Sequence, residues 1–458
     1  MSAFVWTDAR VRAALGLRAD RAREGVEFTG ISTDSRTVEP GNLYVALVGD
    51  RFDGHDFVAD AFARGALGAV VSAPVPGEPG GSLYPVQDTL SALGSLAAHF
   101  RNTLEIPVVA ITGSAGKTTT KDFTRGALSQ SLRVHATRGN LNNRVGMPLT
   151  LLSTPADAQA VVLELGTNEP GEIRLLARIA TPDIAVVTTV GASHLEKLET
   201  VAGVMKEKLS LFAHVAEGGV CVTGDTPPEL PVEARRVCPH LVVAGEAEEA
   251  DERFRARHVE SDMWGTYSFV WRGQRVTLPV AGRHMVLDAV LALTVADTVG
   301  IAARDAVRGI RSADFGAMRG ESRRVGGLTV IVDCYNANPV SVKAALDLLG
   351  AHSGGSGRVV VLGSMLELGA ASDALHEEVL DDALSRGFDR VVATGEFARV
   401  AGDRAHPALM TAPTWNEAYP SLRGVLTGDE VVLLKASRGV AMEGILPLLE
   451  SDFGEEAA

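Results

Sequence analysis

The sequence predicts an α/β fold in three domains, and three observations carry that prediction. Short apolar runs of strand length alternate with helical segments over most of the chain, the pattern of a parallel sheet covered on both faces. The 458 residues exceed what a single core holds. Glycine is abundant, at 48 residues, while aromatic residues make up only 5%. That mix suits many tight strand-to-helix turns better than a β-sandwich.

Composition narrows the class of protein. The chain is 46% apolar and 22% charged, ordinary for a soluble globular protein. A formal charge of −14 argues against a nucleic-acid coat or a binder of anionic membranes. Any anionic substrate must then be met by local cationic pockets. Three widely spaced cysteines (Cys221, Cys238, Cys334) suit a reducing compartment and suggest neither disulfides nor a zinc site. The opening MSAFVWTDARVRAALG has no long apolar core, and no apolar run reaches membrane-spanning length. The expectation is a cytoplasmic, monomeric enzyme.

Residues 1–86 read as a small α/β unit. A helix is expected over Val5–Leu15, strands over Leu43–Leu47 and Ala69–Ser72, and a second helix over Ala59–Gly65. Ser32–Arg36 is a polar cluster whose Arg36 is chemically suited to a phosphate or carboxylate. On local grounds alone it reads better as a surface turn. Pro74–Gly81 is rich in Pro and Gly and reads as a boundary.

Residues 87–314 form the central unit. An amphipathic helix, Thr89–Phe100, leads into a strand at Val108–Thr112, followed by Gly113-Ser114-Ala115-Gly116-Lys117-Thr118-Thr119. Backbone N–H groups in such a Gly-containing turn cradle phosphate oxygens, helped by the helix N-terminus behind them. Lys117 is placed to reach β- and γ-phosphates, and the Thr118 hydroxyl to sit on Mg²⁺. Further strands are expected at Ala160–Leu165, Ile184–Val190, Gly219–Thr223 and Leu241–Ala244, with strand–helix alternation continuing to about residue 314. In parallel sheets ligands gather beyond the carboxyl ends of the strands. If the first three are neighbours, Lys117, Thr118, Glu164 and His194 converge. An acid inside VVLELG then reads as an oxygen ligand for the cation on Thr118. The amides Asn140, Asn142 and Asn143 lie in a Gly-flanked loop, where binding a substrate and capping turns are both open readings.

Residues 315–458 form a third, doubly wound unit without a phosphate loop. Its strands are expected at Leu328–Asp333, Arg358–Leu362, Arg390–Thr394 and Glu430–Lys435. DCYNANPVS, GSMLELG and KASRGVAME stand at strand ends. Lys435 and Arg438 place two cations at one such end, suited to a carboxylate or phosphate.

Taken together, these segments resemble the Mur ligase family of peptidoglycan synthesis over nearly the whole chain. The ordered series GSAGKTT, GNLNN, the Glu164 segment, His194 and the three C-terminal blocks carries the likeness. Within the family it is most similar to the branch that joins D-Ala-D-Ala to UDP-N-acetylmuramoyl-tripeptide. The alternatives are the branch that adds a diamino acid to the dipeptide precursor, and a non-catalytic nucleotide- and precursor-binding protein. The resemblance implies an N-terminal domain for the uridine diphosphate, a central P-loop-type mononucleotide-binding domain and a Rossmann-like C-terminal ligase domain.

It also implies roles. Ser35 and Arg36 fall in the uridine-diphosphate region, and Gly113–Thr119 bind the phosphates of ATP. Thr118 and Glu164 hold one Mg²⁺ and His194 a second. Lys208 matches a lysine that carries a CO₂ adduct in relatives; the plain alternative is that Lys206, Glu207 and Lys208 form a solvated helix face. His284, Arg319 (with Arg323 as rival) and Asn336 match positions that reach ATP. Asn140, Asn142, Asn143, Lys435 and Arg438 fall in substrate-facing blocks. The chain departs from the family pattern at Arg144, Thr189, Met285, Asp288 and Ser364. The implied chemistry is attack of a peptide carboxylate on ATP, an acyl phosphate, then capture by an amine.

Overall fold

The computed structural model describes residues 4–454 apart from 21–24, 50, 76–79, 263–264, 316–317, 319 and 353–356. Three α/β layers follow one another along the chain. The first holds a four-stranded parallel sheet, in the order Ile31–Ser32, Leu43–Val45, Gly68–Val71 and Ser82–Pro85. Strand alternation divides its core. Leu43 and Val45 pack with Trp6, Phe28 and Tyr84, while Tyr44 and Ala46 pack with Val58 and Ala61 on the other face. Pro74–Gly81 therefore lies between two paired strands of one sheet rather than between domains, with 76–79 outside the described residues. The expected helix at Val5 starts later. Trp6–Thr7 pairs with Glu27–Phe28, and Thr7 caps the helix Asp8–Ala14 by accepting the Arg10 N–H at 3.3 Å.

Asp88 accepts the N–H groups of Leu90 and Ser91 and so starts the helix Thr89–Arg101. That helix packs Leu93, Leu96 and Phe100 into the first core and Ala97 into the second.

The central sheet has six parallel strands. From edge to edge they are Val134–Ala136, Ala160–Glu164, Val108–Thr112, Ile184–Val187, Val220–Gly224 and Leu241–Ala244. Val109, Ile111, Val162 and Val186 meet Phe123, Ala127 and the long helix His284–Val299 on one face. Val108, Ala110, Leu163 and Val187 meet Ile173, Leu176, Val204 and Leu209 on the other.

Alternation does not continue to residue 314. Arg257–Ser261, Thr266–Trp271 and Gln274–Ala281 form a three-stranded antiparallel sheet. Its Phe269, Trp271, Val276 and Leu278 cover the outer side of the His284–Val299 helix, which is why that helix is apolar nearly all round. Polar residues alternate outward, as a one-sided sheet requires.

The C-terminal sheet runs Glu321–Val325, Leu328–Asp333, Val431–Lys435, Arg358–Leu362, Arg390–Thr394 and Leu409–Ala412. Only the first strand is antiparallel to its neighbour. Helices such as Pro339–Ala351, capped by Asn338, cover its faces. Among the described residues no helix is long and apolar enough to cross a membrane.

Candidate active site

The Val108–Thr112 strand lies between Ala160–Glu164 and Ile184–Val187, with Glu164 opposite Ile111 and Val187 opposite Thr112. The expected strands are therefore neighbours, and Thr118 and Glu164 meet at their ends. The chain leaves the strand, turns through Gly113–Gly116 and enters the helix Lys117–Ser129. Gly116 sits at φ +79°, and a Cβ there would stand 2.2 Å from Asp288 Oδ1, so only glycine fits the turn. No side chain caps this helix, which leaves its first N–H groups to an anion.

The loop is braced on all sides. The Ser114 N–H donates to the Thr189 carbonyl at 2.8 Å, and Ser193 Oγ donates to Ser114 Oγ at 2.9 Å. The Thr188 hydroxyl donates to the Ala115 carbonyl. Lys117 curls back over the loop and donates from Nζ to the Gly113 carbonyl at 2.8 Å. Thr119 is buried behind it.

Glu164 is 2% exposed, at the end of its strand. Its Oε2 accepts Thr118 Oγ1 at 2.7 Å and its Oε1 accepts Asn142 Nδ2 at 2.8 Å. The three asparagines thus divide. Asn142 enters the site, Asn143 accepts the Val145 and Gly146 N–H groups as a turn cap, and Asn140 is exposed.

Lys208 sits on the helix Val201–Leu209, four residues after Val204 and on its buried face. The solvated-face reading holds only for Lys206. Glu207 is buried and accepts the Gly171 and Ile173 N–H groups, at 2.7 and 2.8 Å. Lys208 is fully buried, and its Nζ has no hydrogen-bond partner among the described residues. Burial, helped by the nearby charge of Lys117, holds its amine well below the ordinary lysine range against the pull of Glu207, Glu172 and Glu164.

His194 adopts φ +53°, and its Nδ1 lies 2.6 Å from Glu367 Oε2 in the C-terminal domain. Asn338 Nδ2, also from that domain, donates to the Ser114 carbonyl at 3.3 Å. Asn336, expected to reach ATP, instead turns its Oδ1 onto the Ala337 N–H, and Asn338 makes the contact with the loop. Lys435 is 1% exposed and spent on Asp333 Oδ2 at 2.7 Å and the Asn336 carbonyl at 2.8 Å, so it is an internal pair rather than an open anion site. Arg438 is exposed, beside Met318 and over the Tyr335 ring. His284 is exposed, at the start of the His284–Val299 helix. Arg319 lies outside the described residues. Arg323 is held by Glu321 on the edge strand. Ser35 lies in a short 3₁₀ turn, and Arg36 projects into solvent while gripping Asp34.

The donor set fits a hard divalent cation. Thr118 and Glu164 present two oxygens at one point, as Mg²⁺ prefers when it keeps several waters. Among the described residues no three His, Cys, Asp or Glu side chains cluster as a metal cage. A second cation at His194 would therefore need a further anionic ligand.

A phosphate loop on a parallel sheet, met across a seam by a second doubly wound domain, defines a nucleotide-dependent ligase of modular build. Residues 111–296 match the Mur ligase middle domain, 318–438 the Mur ligase glutamate ligase domain, and 27–101 the Mur ligase family catalytic domain. The chain belongs to the Mur ligase family. It is 35% identical to the UDP-N-acetylmuramoyl-tripeptide–D-alanyl-D-alanine ligase of Bacillus subtilis (strain 168), covering 95% of this chain and 96% of that one. A crystal structure of MurF from Acinetobacter baumannii superposes with a TM-score of 0.89 at 31% identity, covering 98% of this chain and 100% of that one. MurF from Thermotoga maritima in complex with ADP gives 0.82 at 27% identity, covering 93% and 97%.

Proposed function

We infer that this chain is an ATP-dependent ligase that joins D-Ala-D-Ala to UDP-N-acetylmuramoyl-tripeptide in peptidoglycan synthesis. One observation carries the reading from geometry. Thr118 and Glu164 meet at 2.7 Å beside an uncapped helix N-terminus, on a loop that the C-terminal domain touches through Asn338. The near full-length likeness to ligases of that name supplies the substrates. The free cysteines suit the cytoplasm, where we place the reaction.

The residues divide the work. The N–H groups of the 113–119 loop bind the triphosphate, and Lys117 offers its cation to the β- and γ-phosphates. Thr118 and Glu164 would hold one Mg²⁺; His194 and a carbamate on Lys208 would hold a second. When bound, these ions neutralise crowded phosphate oxygens. Lys208 suits carbamate formation because only an unprotonated amine attacks CO₂. The N–C bond forms, one proton leaves to water, and a buried amine becomes an oxygen-bearing anion. The peptide carboxylate then attacks the γ-phosphorus, and the bond to ADP breaks. The amine of D-Ala-D-Ala attacks the resulting acyl carbon, and phosphate leaves. The seam formed by Asn338 and Glu367 keeps water from the labile acyl phosphate. The family likeness supports assigning the uridine diphosphate to the exposed turn that carries Ser35 and Arg36.

The test is a ligation assay with purified protein, ATP, Mg²⁺ and tripeptide precursor, offering amines in turn. D-Ala-D-Ala is expected to yield ADP with a new amide. Strong turnover only with a diamino acid and the dipeptide precursor, or nucleotide binding without precursor-dependent hydrolysis, overturns the assignment.

A further inference from the structure

Asn338 serves partners in two domains at once. Its Oδ1 accepts the Ser341 N–H at 2.9 Å and so starts the helix Pro339–Ala351. A backbone N–H meets an oxygen, so this bond fixes which end of the amide is which. Nδ2 is thereby turned the other way, onto the Ser114 carbonyl of the phosphate loop at 3.3 Å. Both residues are buried. The Ser114 hydroxyl is already committed within the central domain. It donates to the Gly191 carbonyl at 3.1 Å and accepts the Gly191 N–H at 3.1 Å and the Ser193 hydroxyl at 2.9 Å. The Ser114 carbonyl, by contrast, is held from across the seam. The segment that holds it is fixed from behind, since Lys435 Nζ donates to the Asn336 carbonyl at 2.8 Å and Ser437 Oγ to the Ala337 carbonyl at 3.3 Å. Beside it, Val340 lies so close that a Cβ on Gly191 would stand 2.5 Å from its Cγ2.

The Ser114 carbonyl shares a trans peptide plane with the Ala115 N–H, so the two point opposite ways. No described residue accepts that N–H. The next peptide along is set from inside the central domain, where the Thr188 hydroxyl donates to the Ala115 carbonyl. We propose that Asn338 is a positioning residue lent by the C-terminal domain to the phosphate loop. By holding the Ser114 carbonyl it fixes the direction of the Ala115 N–H, a donor the loop leaves open for a phosphate oxygen. The loop is then fully set for nucleotide when the C-terminal domain rests on it. The alternative is that the contact merely glues the seam. The inference rests on the reading of residues 113–119 as the triphosphate site, and its test separates the two.

The test compares Asn338→Asp and Asn338→Ala with the unaltered protein. Asp caps a helix as well as Asn does, but it turns an acceptor rather than a donor toward the Ser114 carbonyl. Ala removes both bonds. The Kd for a nonhydrolysable ATP analogue, measured by calorimetry, is expected to rise about 10-fold in Asn338→Asp. The melting temperature of the nucleotide-free protein should stay at the parent value in that variant and fall in Asn338→Ala, which should lose nucleotide affinity as well. The KM for the tripeptide precursor should be unchanged in both. Should Asn338→Asp fold poorly, Asn338→Ser keeps a capping oxygen without the amide and carries the same expectation. A nucleotide Kd within about twofold of the parent overturns the positioning role, as does an equal rise in the tripeptide KM, which a glued seam would give. If the unaltered protein does not bind the analogue, the reading of the loop fails, and this inference with it.

Discussion

Two buried lysines, one in each of the larger sheets' domains, have opposite surroundings. Lys435 ends the Val431–Lys435 strand of the C-terminal sheet, 1% exposed, and meets a carboxylate at 2.7 Å and a carbonyl at 2.8 Å. Lys208, in the central domain, is equally buried, yet its Nζ has no hydrogen-bond partner among the described residues. A buried ammonium with a carboxylate beside it is a structural charge that fixes two loops. A buried amine without one sheds its proton and becomes a nucleophile. The two sheets share an architecture, and what separates their roles is whether the chemistry at the strand ends is closed or left open.

The contrast breaks most visibly in turnover. Lys208→Met is expected to cut ligation by at least about 10²–10³-fold, the scale for loss of a charge-stabilising group, while leaving the melting temperature unchanged or raised. Replacing a partnerless buried amine by an isosteric apolar chain removes a desolvated polar group. Lys117→Ala should lower ADP release on the same scale with every substrate present, and near-normal release would remove the phosphate loop from the mechanism.

The reverse substitution should strike stability. Lys435→Met leaves Asp333 beside an apolar chain; its side chain is 23% exposed. Breaking a buried pair costs about 3–5 kcal/mol, and the partial exposure reduces this to about 2–3 kcal/mol. Denaturant unfolding measures it, and a variant as stable as the parent would show that the Asp333 pair is not structural.

A smaller effect concerns an acid. Asp288 is buried against Gly116 and accepts the Thr120 hydroxyl at 3.0 Å. Burial pushes its carboxyl up from 3.8 to about 8, opposed only by that hydrogen bond. A carboxyl whose value rises on folding binds its proton more tightly in the folded state. Its stabilising contribution is therefore complete below pH 3.8 and is lost progressively as the pH rises to about 8. Asp288→Asn should gain stability over the parent across that window, by a few kcal/mol at most, and the gain should level off above it. Thermal melts at stepped pH decide this; parallel curves would place a charged Asp288 in the folded protein.

Much of this was legible before any coordinates. The strands Val108–Thr112, Leu241–Ala244, Leu328–Asp333, Arg358–Leu362 and Arg390–Thr394 match their expected bounds because unbroken apolar runs leave no choice of register. Lys117, Thr118 and Glu164 were readable because a phosphate turn and an acid at a strand end are local signals. The antiparallel sheet at 257–281 was overlooked, although Arg272-Gly273, at φ +47° and +74°, is a two-residue hairpin turn between alternating residues. The edge strand Glu321–Val325 carries charge at three of its five positions and a serine at a fourth, and it buries only Val325, so no apolar run announced it. Asp288, Asn338 and Glu367 were out of reach for another reason. Their roles come from contacts with Gly116, Ser114 and His194, which lie far away in sequence, and no local pattern records such a meeting.

The most direct test of the contrast between the lysines is ¹³C NMR of the protein equilibrated with ¹³C-bicarbonate. A carbamate resonance is expected in the parent and in Lys435→Met and should be missing from Lys208→Met. No carbamate signal in the parent, or one that persists in Lys208→Met, would contradict the account.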